Sequence, residues 1–348
     1  MTIHASVRGS VVTAVVEEFA RHGGDPRWVL ERHGLTPALL ADPFSSVSLV
    51  RYVAMFEDMA MRLDDPLLGA RLGQAMRAVD LGPAGMLVAR SRSVMVALER
   101  LTRFVSSFQP GTLAGLKQCD DLLVWTYRLN DAAIWPRRQD AEFTLASTLR
   151  LIRSAFTPDW QPLMVQFEHA PASPNSARAL EKLLGCPVRF EAATNGMVLP
   201  AEEAHTRFRD EDKDLIAVLE RFLVTSAPMA TTQAKWSDKV LSLIAAYLGQ
   251  QTVTLERLAA DLAVAPRSLQ RRLADEGTSL RQLLRDHRQE LTLQHLQAGA
   301  PRLGNLAEAL GYADGTTFWR AHRNWTGQTP STARAMHQSH RMTPDSPG

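Results

Sequence analysis

The chain has 348 residues, 45% of them hydrophobic, which is enough for two or more domains with proper cores. Its formal net charge of +2 does not by itself suggest a nucleic-acid partner. Because no run of about 18 apolar residues occurs, and residues 1–10 lack a basic start followed by an apolar stretch, we expect a soluble, cytoplasmic protein.

The first 210 residues combine helix and strand patterns. Apolar residues recur at helical spacing in four segments. These segments are Val11–Phe19, Val50–Met61, Val94–Phe108 and Ala141–Phe156. Strands are indicated at Leu113–Gln118 and Leu122–Leu129, which flank a turn, and at Leu163–Glu168. Together they predict an α+β domain with a small, mostly antiparallel sheet.

A second hairpin is predicted further along. Val188–Phe190 and Met197–Leu199 bracket Asn195-Gly196, which is the strongest short hairpin signal. Residues 211–234 then join the two halves: Leu215 to Leu223 predict one more helix, followed by a flexible linker. We therefore predict an α+β domain over residues 1–210, this joining segment, an all-α domain over residues 235–338, and a disordered tail over residues 339–348. The chain as a whole is expected to be mainly α.

The same helix–turn–helix pattern occurs twice in the second half, 48 residues apart. Each copy has apolar residues at i, i+3, i+4 and i+7, a short break, a second helix with a buried pair, and a final glycine suited to a helix C-terminus. The first copy is Leu255, Leu258, Ala259 and Leu262, then Leu269/Leu273 and Gly277; the second is Leu303, Leu306, Ala307 and Leu310, then Phe318/His322 and Gly327. Such a motif places a recognition helix in the major groove of DNA.

A long helix is predicted between the copies. Thr278-Ser279 forms an N-cap, and an apolar stripe runs from Leu280 to Leu296. Roughly 19 residues give a rod of about 28 Å, close to one turn of B-DNA at about 34 Å. A rigid helix of this length would hold both recognition helices on one face of the duplex.

Residues 236–334 resemble the DNA-binding domain of the AraC/XylS family of bacterial transcription regulators. The resemblance is carried by Leu269-Gln270-Arg271-Arg272-Leu273, Gly277-Thr278-Ser279-Leu280, Arg288, Leu310-Gly311-Tyr312, Asp314, Phe318, Arg320-Ala321, Trp325-Thr326-Gly327 and Thr329-Pro330-Ser331. Three positions depart from the family pattern. Ala265 replaces a capping Ser, His322 takes a normally aromatic core position, and Ala333 replaces an aromatic residue. None of the three removes an expected DNA contact.

Seven residues on the faces opposite the buried pairs are candidates for DNA contact: Arg267, Ser268, Gln270, Arg271, Gly315, Thr316 and Arg320. Gln pairs with adenine and Arg with guanine through two hydrogen bonds each. Phosphate contact, or solvation alone, is the alternative. For Arg272 and Arg288 such folds favour structural ion pairs, and Trp319 is expected to pack on the long helix. Residues 231–340 hold 13 Lys and Arg against 9 Asp and Glu, whereas residues 1–230 hold 25 against 27, so the basic excess lies in this half.

The first domain resembles the N-terminal effector domain of the ornithine-regulator-like (OruR-like) AraC subgroup over residues 10–205. The motifs are Asp65-Pro66 with Leu68-Gly69-Ala70-Arg71-Leu72, Arg138-Gln139-Asp140-Ala141-Glu142-Phe143, Val165-Gln166-Phe167-Glu168-His169 and Leu184-Gly185-Cys186-Pro187-Val188-Arg189-Phe190. The resemblance implies sensing of a small molecule, whose identity does not carry over. Candidate pocket residues are Tyr127, Trp135, Arg138, Phe143 and His169, although aromatic residues at such spacing are also typical of a core.

No enzyme signature is present. GxSxG, Walker and HExxH motifs do not occur, and Cys119 and Cys186 have neither disulfide nor metal-ligand spacing. Asp120 and Asp121 beside Cys119 disfavour a thiolate. We expect no enzymatic activity, no cofactor and no metal.

The sequence therefore predicts a sequence-specific transcription regulator, and specifically an activator that responds to a small-molecule effector. Its expected partners are promoter DNA, RNA polymerase and a second copy of the chain. The alternative is a DNA-binding regulator whose N-terminal domain only dimerises and senses no ligand.

Overall fold

The structure is a computed structural model in which residues 5–129, 131, 134, 136–192, 194–226, 236–248, 252–262, 264–297, 307, 310–312 and 314–329 are described. It divides into two compact units, Met1–Ala230 and Thr231–Gly348. Each unit has a hydrophobic core of its own. Trp135, Leu303, Leu306 and the predicted tail over residues 339–348 lie outside the described residues.

Helices dominate the first unit. Their starts follow the usual sequence rules: Thr36 and Ser93 accept hydrogen bonds from the N–H groups of Leu39 and Val96, and Pro26 and Pro37 stand at the first helical position. In chain order the described helices are α1 (Gly9–Arg21), α2 (Pro26–His33), α3 (Pro37–Ala41), α4 (Leu49–Leu63), α5 (Leu68–Ala75), α6 (Gly82–Ala89), α7 (Val94–Phe108), α8 (Arg138–Ala155), α9 (Pro174–Leu184), α10 (Ala201–His205) and α11 (Lys213–Ser226), with a 3-10 turn at Ala78–Leu81. The four helices that periodicity predicts are confirmed as α1, α4, α7 and α8.

The strands of this unit form two sheets. A short antiparallel pair joins β1 (Ser6–Arg8) to β2 (Ser46–Ser48). The larger sheet contains β3 (Thr112–Cys119), β4 (Leu122–Leu129), β5 (Met164–Gln166), β6 (Val188–Arg189) and β7 (Asn195–Pro200), in the order β3-β4-β7-β5-β6. Its pairs are antiparallel except for β5 with β6. The predicted β3–β4 hairpin, with Cys119 opposite Leu122, and the mostly antiparallel sheet are confirmed.

The predicted hairpin around Asn195-Gly196 is wrong. These residues lie inside β7, which pairs with β4 and β5, whereas β6 pairs with β5. The buried Asn195 side chain accepts a hydrogen bond from the N–H of Glu168 at 3.0 Å, so it ties two strands together instead of forming a turn. Gly196 is needed for close approach, because a Cβ there would lie 2.4 Å from the carbonyl oxygen of Trp125. Tertiary pairing therefore overrides the local turn signal.

α8 is the central helix of the first unit and is buried along most of its length. α5 crosses it through two glycines. A Cβ on Gly69 would lie 2.2 Å from the carbonyl oxygen of Gln139, and one on Gly73 would lie 2.5 Å from that of Phe143. Gln139 in turn accepts a hydrogen bond from the N–H of Gly69 at 2.7 Å through its side-chain oxygen. The two helices thus meet backbone to backbone, and this contact fixes α8.

The helix expected in the joining segment is α11, and it packs on α6 and α7. Ile216 and Leu223 are buried in the first core. Two hydrogen bonds of 2.7 and 3.0 Å join Arg100 on α7 to Glu211 just before α11. Up to Ser226, the joining segment is therefore attached to the first unit.

The described regular elements of the second unit are all helical: α12 (Trp236–Tyr247), α13 (Leu255–Asp261), α14 (Pro266–Asp275), α15 (Leu280–Gln297) and α16 (Gly315–Thr326). α15 is the predicted long helix, and the Ser279 hydroxyl accepts a hydrogen bond from the N–H of Gln282 at its start. Over the described part of the chain, no helix is long and apolar enough to cross a membrane.

We predict that Gly73→Ala destabilises the first unit by about 1–3 kcal/mol, because the new methyl group forces the α5 and α8 backbones apart. Urea unfolding followed by circular dichroism measures the change. The exposed Arg71→Ala on the same helix serves as control and should stay within about 0.5 kcal/mol. Equal stability of Gly73→Ala and wild type would contradict the close crossing.

Candidate nucleic-acid interface and buried polar cluster

The first helix–turn–helix is formed by α13 and α14, which pack on α12 and α15. The core of this unit contains one buried pair from each of α12, α13 and α14, together with Leu283 from α15. The pairs are Val240 and Ile244, Leu258 and Ala259, and Leu269 and Leu273. The Thr254 hydroxyl accepts a hydrogen bond from the N–H of Arg257 and caps α13. After α14, Gly277 has a φ of +75°, and the N–H of Thr278 donates to the carbonyl of Leu273, as a left-handed helix end requires.

The outward face of α14 carries the predicted contact residues. Arg267, Gln270 and Arg271 are exposed and Ser268 is half-buried, whereas Leu269 and Leu273 are buried. α14 begins without a side-chain cap because Ala265 occupies the N-cap; Pro266 supplies a preset backbone angle instead. The missing cap inferred from the sequence is confirmed, and the three exposed side chains are held on a helix whose other face is fixed by burial.

Arg272, the remaining arginine of α14, has a structural role. Its guanidinium lies 4.0 Å from the ring centroid of Trp236, so among the described residues it makes a cation–π contact where an ion pair was expected. Glu276 accepts hydrogen bonds from the N–H groups of Trp236 and Ser237 at 2.6 and 2.8 Å. These contacts join the start of α12 to the end of α14.

The second recognition helix is α16. Asp314 caps it by accepting a hydrogen bond from the N–H of Thr317 at 2.7 Å, and this bond lowers the pKa of the carboxyl group. Phe318 and His322 are buried, as predicted, while Gly315, Thr316 and Arg320 are exposed. The predicted contact residues of both motifs therefore lie on solvent-facing sides of recognition helices.

His322 fits the aromatic core position by hydrogen bonding. Its Nδ1 lies 3.0 Å from the carbonyl oxygen of Gln328, and its ring centroid lies 6.0 Å from that of Phe318. Trp319 is partly exposed: 37% of its surface is accessible, and the Arg323 guanidinium lies 5.8 Å from its ring, while its packing on the long helix stays a prediction. Trp319 therefore adds an aromatic surface beside Arg320.

Arg288 of α15 holds the turn of the second motif. Its side chain donates hydrogen bonds to the carbonyl oxygens of Leu310 at 2.9 Å and Gly311 at 3.4 Å. Its guanidinium also lies 4.5 Å from the ring of Tyr312, whose ring is 5.7 Å from that of Phe318. As with Arg272, the predicted ion pair is not found among the described residues; the partners of Arg288 are two carbonyl oxygens and an aromatic ring. One side chain thus links the long helix to the core of the second motif.

A buried polar cluster lies around the start of α8 in the first unit. The Tyr127 hydroxyl donates to Asp140 at 2.6 Å and accepts from the Gln109 amide at 3.1 Å. Arg137 and Glu168 form two hydrogen bonds of 2.5 and 3.0 Å. Burial raises the pKa of Asp140 to about 7. The interior of the first unit therefore contains a network of hydrogen-bonded polar side chains, which a purely apolar core would not contain.

His169 and Glu142 form the other side of this cluster. His169 Nε2 lies 3.7 Å from Glu142 Oε1, and both residues are buried. Burial raises the pKa of Glu142 to about 8 and lowers that of His169 to about 4. Within the described ranges, several buried atoms have no hydrogen-bond partner: Tyr52 Oη, Thr112 Oγ1, Asp140 Oδ1, Glu142 Oε2 and His169 Nε2.

The structure divides the predicted pocket residues between roles. Tyr127 lies with Asp140, whereas the buried His169 and the half-buried Arg138 lie with Glu142. Residues 140 and 142 face different sides of α8. Phe143 packs on the ring of Phe56 at 4.9 Å and serves the core. Sequence reasoning did not select the acidic groups of the cluster. The sequence did contain a signal for them, because charged residues interrupt the apolar pattern at the start of α8, where burial is costly for a charge.

Comparison with known proteins agrees with both units. Residues 23–208 match the family described as "Arabinose-binding domain of AraC transcription regulator, N-term", which covers more than half of the chain. The chain belongs to the AraC family of transcription regulators. Residues 258–336 of the regulator match the family described as "Helix-turn-helix domain".

Two relatives resemble the regulator over nearly its whole length. "HTH-type transcriptional regulator VirS" of Mycobacterium tuberculosis is 25% identical over 96% of this chain and 98% of that protein. "Ornithine utilization regulator" of Pseudomonas aeruginosa is 23% identical over 92% and 94%. Among solved structures, transcriptional regulator CdpR from Pseudomonas aeruginosa is 22% identical, covers 89% of this chain and 96% of that one, and has a TM-score of 0.41. As a member of the AraC family with a helix–turn–helix domain, the protein is a DNA-binding transcription regulator and not an enzyme.

We predict that Gln270→Ala and Arg271→Ala each lose about 1–3 kcal/mol of binding to the regulator's preferred site and relax base preference there. Arg320→Ala should do the same at base pairs about one helical turn away. Selection from random DNA, followed by titration of each variant, measures both effects. Arg281→Ala, an exposed arginine on α15, is the charge-matched control. A uniform loss on unrelated sequences would make the tested residues phosphate contacts.

Proposed function

We propose that the regulator is a sequence-specific activator whose DNA binding is controlled by a small-molecule effector held in the first unit. The observation that carries the proposal is the buried cluster around α8. Buried polar atoms without hydrogen bonds cost stability, so each needs an explanation. Several of them together with strongly shifted pKa values favour a binding site. Ordinary core packing accounts for Phe143 but not for Asp140, Glu142 and His169.

The proposed coupling runs through packed helices. α6 packs on both α8 and α11, and α11 is the last described helix before the boundary between the units. An effector that favours one arrangement at the start of α8 would thereby bias α11. The mechanism is a population shift between arrangements that differ in effector affinity.

On DNA, the proposed mode uses both recognition helices. α14 and α16 enter successive major grooves on one face of the duplex, with Gln270, Arg271 and Arg320 reading base edges and Arg267, Ser268, Gly315 and Thr316 beside them. We further propose that the regulator acts in the cytoplasm as a homodimer and contacts RNA polymerase from the bound promoter.

A second candidate is a regulator whose first unit only dimerises. The observation that favours it is an apolar surface on α11. Val218, Phe222 and Val224 are exposed there, and the exposed Phe44 ring lies 6.0 Å from that of Phe222. An exposed apolar patch of this kind is typical of a protein–protein interface. Dimerisation and effector binding are compatible, so the test must address the effector.

We predict that an effector changes operator affinity of the full chain by about 5- to 150-fold and leaves a fragment of residues 231–348 unaffected. The operator is found by genome-wide binding, and the regulated genes supply candidate metabolites. Each metabolite is titrated against both proteins with and without operator DNA. The fragment should itself bind the operator with steep salt dependence, because phosphate contacts release counterions.

Reciprocity sharpens this test. Operator DNA must change the affinity for the effector by the same factor by which the effector changes the affinity for DNA. A metabolite that binds the first unit with equal affinity in both titrations would contradict effector control and favour the dimerisation-only candidate. A folded fragment without sequence preference would contradict the placing of DNA recognition in the second unit.

A further inference from the structure

The buried side chains of Glu142 and His169 have hydrogen-bonding atoms without partners, and the chemistry of these atoms indicates which group could bind them. Glu142 Oε1 and His169 Nε2 lie 3.7 Å apart, which is too far for a hydrogen bond between them. Glu142 Oε2 and His169 Nε2 are both buried and have no hydrogen-bond partner among the residues that the structure describes. A donor nitrogen placed beside the pair, however, can lie within about 2.9 Å of both.

The protonation state of His169 makes its Nε2 atom a hydrogen-bond acceptor. Its Nδ1 lies 3.0 Å from the carbonyl oxygen of Ala170, and since a carbonyl only accepts, Nδ1 carries the hydrogen. Burial lowers the pKa of the ring to about 4, so the ring is neutral and Nε2 presents a lone pair. An ionised Glu142 also only accepts. Two acceptor side chains therefore lie side by side, 3.7 Å apart.

The charges around the pair are mainly acidic. Glu57 on α4, Asp65 before α5 and Glu168 beside His169 act on the pair, and Arg138 at the start of α8 opposes them. Two of the acids already have partners, because Asp65 pairs with Arg71 and Glu168 with Arg137. Glu57 accepts a hydrogen bond from the N–H of Gln139. Glu142 itself has no ion pair closer than His169 among the described residues.

We propose that Glu142 and His169 form the recognition site for a protonated primary amine, so that the effector of this regulator is a small molecule with an alkylammonium group. An ammonium group has three N–H donors and no acceptor, and this matches a site that offers only acceptors. Its positive charge also compensates the buried Glu142 carboxylate. This assignment rests on the proposed function, because it names the ligand of the same unit.

Binding should become tighter as pH rises. Because burial raises the pKa of Glu142 to about 8, this carboxyl group is largely protonated at lower pH and must release its proton to receive an ammonium. Linkage to one such proton gives a gain in affinity of about 20-fold between roughly pH 6.5 and 8.5. The amine itself stays protonated over this range, because the pKa of an alkylammonium ion is about 10.

The test uses the full chain and n-butylammonium chloride as the probe, with binding followed by thermal shift and calorimetry at about pH 8. Tetramethylammonium chloride has the charge but no N–H donor, and butan-1-ol has a donor but no charge. We expect n-butylammonium alone to bind. Glu142→Gln and His169→Asn should each weaken it by about 10- to 100-fold, the range for one lost hydrogen bond to a charged group.

Arg138→Gln is read at about pH 9.5, where the Glu142 carboxyl is ionised: removing the opposing cation should then strengthen n-butylammonium binding, whereas near pH 8 the higher pKa of Glu142 in this variant offsets the gain. Arg150→Gln removes an exposed arginine from the same helix and should have no effect. Operator affinity without probe shows that each variant is folded. If Glu142→Gln fails this control, His169→Asn and Arg138→Gln still decide the matter.

Equal binding of tetramethylammonium, equal binding of butan-1-ol, or undiminished binding to the Glu142 and His169 variants would overturn the assignment. These results differ from a failure of the proposed function. An effector of another class that still changes operator affinity would refute the amine site and leave effector control intact. Amine binding that leaves operator affinity unchanged would confirm the site and refute control.

Discussion

The position of the second helix–turn–helix depends on how Arg288 fixes its turn to the long helix α15. The Arg288 guanidinium donates to the Leu310 and Gly311 carbonyls and lies 4.5 Å from the Tyr312 ring, which also contacts the rings of Phe318 and Trp325. Arginine suits this role because its planar group combines several donors with a face that stacks on an aromatic ring. Leu283 of the same helix belongs to the core that buries α13 and α14, so both helix–turn–helix motifs contact one helix of 18 residues.

The first unit combines a tightly packed helix crossing with buried polar atoms that lack hydrogen-bond partners. Glycines at the α5–α8 crossing bring the two backbones together and leave α8 little freedom. Asp140 and Glu142 at the start of the same helix, and His169 packed beside it, keep buried atoms that have no hydrogen-bond partner among the described residues. A rigid helix that carries incompletely satisfied polar groups is what a binding site needs, because the groups are already held in position when the ligand arrives.

Much of this architecture could be predicted from the sequence, for identifiable reasons. Helical periodicity located α1, α4, α7 and α8, and the repeated spacing located both recognition helices together with their exposed faces. The failures involve long-range contacts. Asn195-Gly196 has the local signature of a turn, but strand pairing and a side-chain bond to Glu168 place it inside β7. The aromatic partners of Arg272 and Arg288 and the buried pair of Glu142 and His169 are formed by residues distant in the chain, which no local pattern reveals.

The central claim is that one rigid helix holds α14 and α16 in register with two major-groove segments of the same operator. The most direct test inserts about five base pairs, half a turn of B-DNA, between the segments read by Gln270 and by Arg320. The account predicts that affinity falls to that of the first segment alone and that Arg320→Ala then has no further effect. Unchanged affinity on the lengthened operator, with Arg320→Ala as harmful as before, would contradict it.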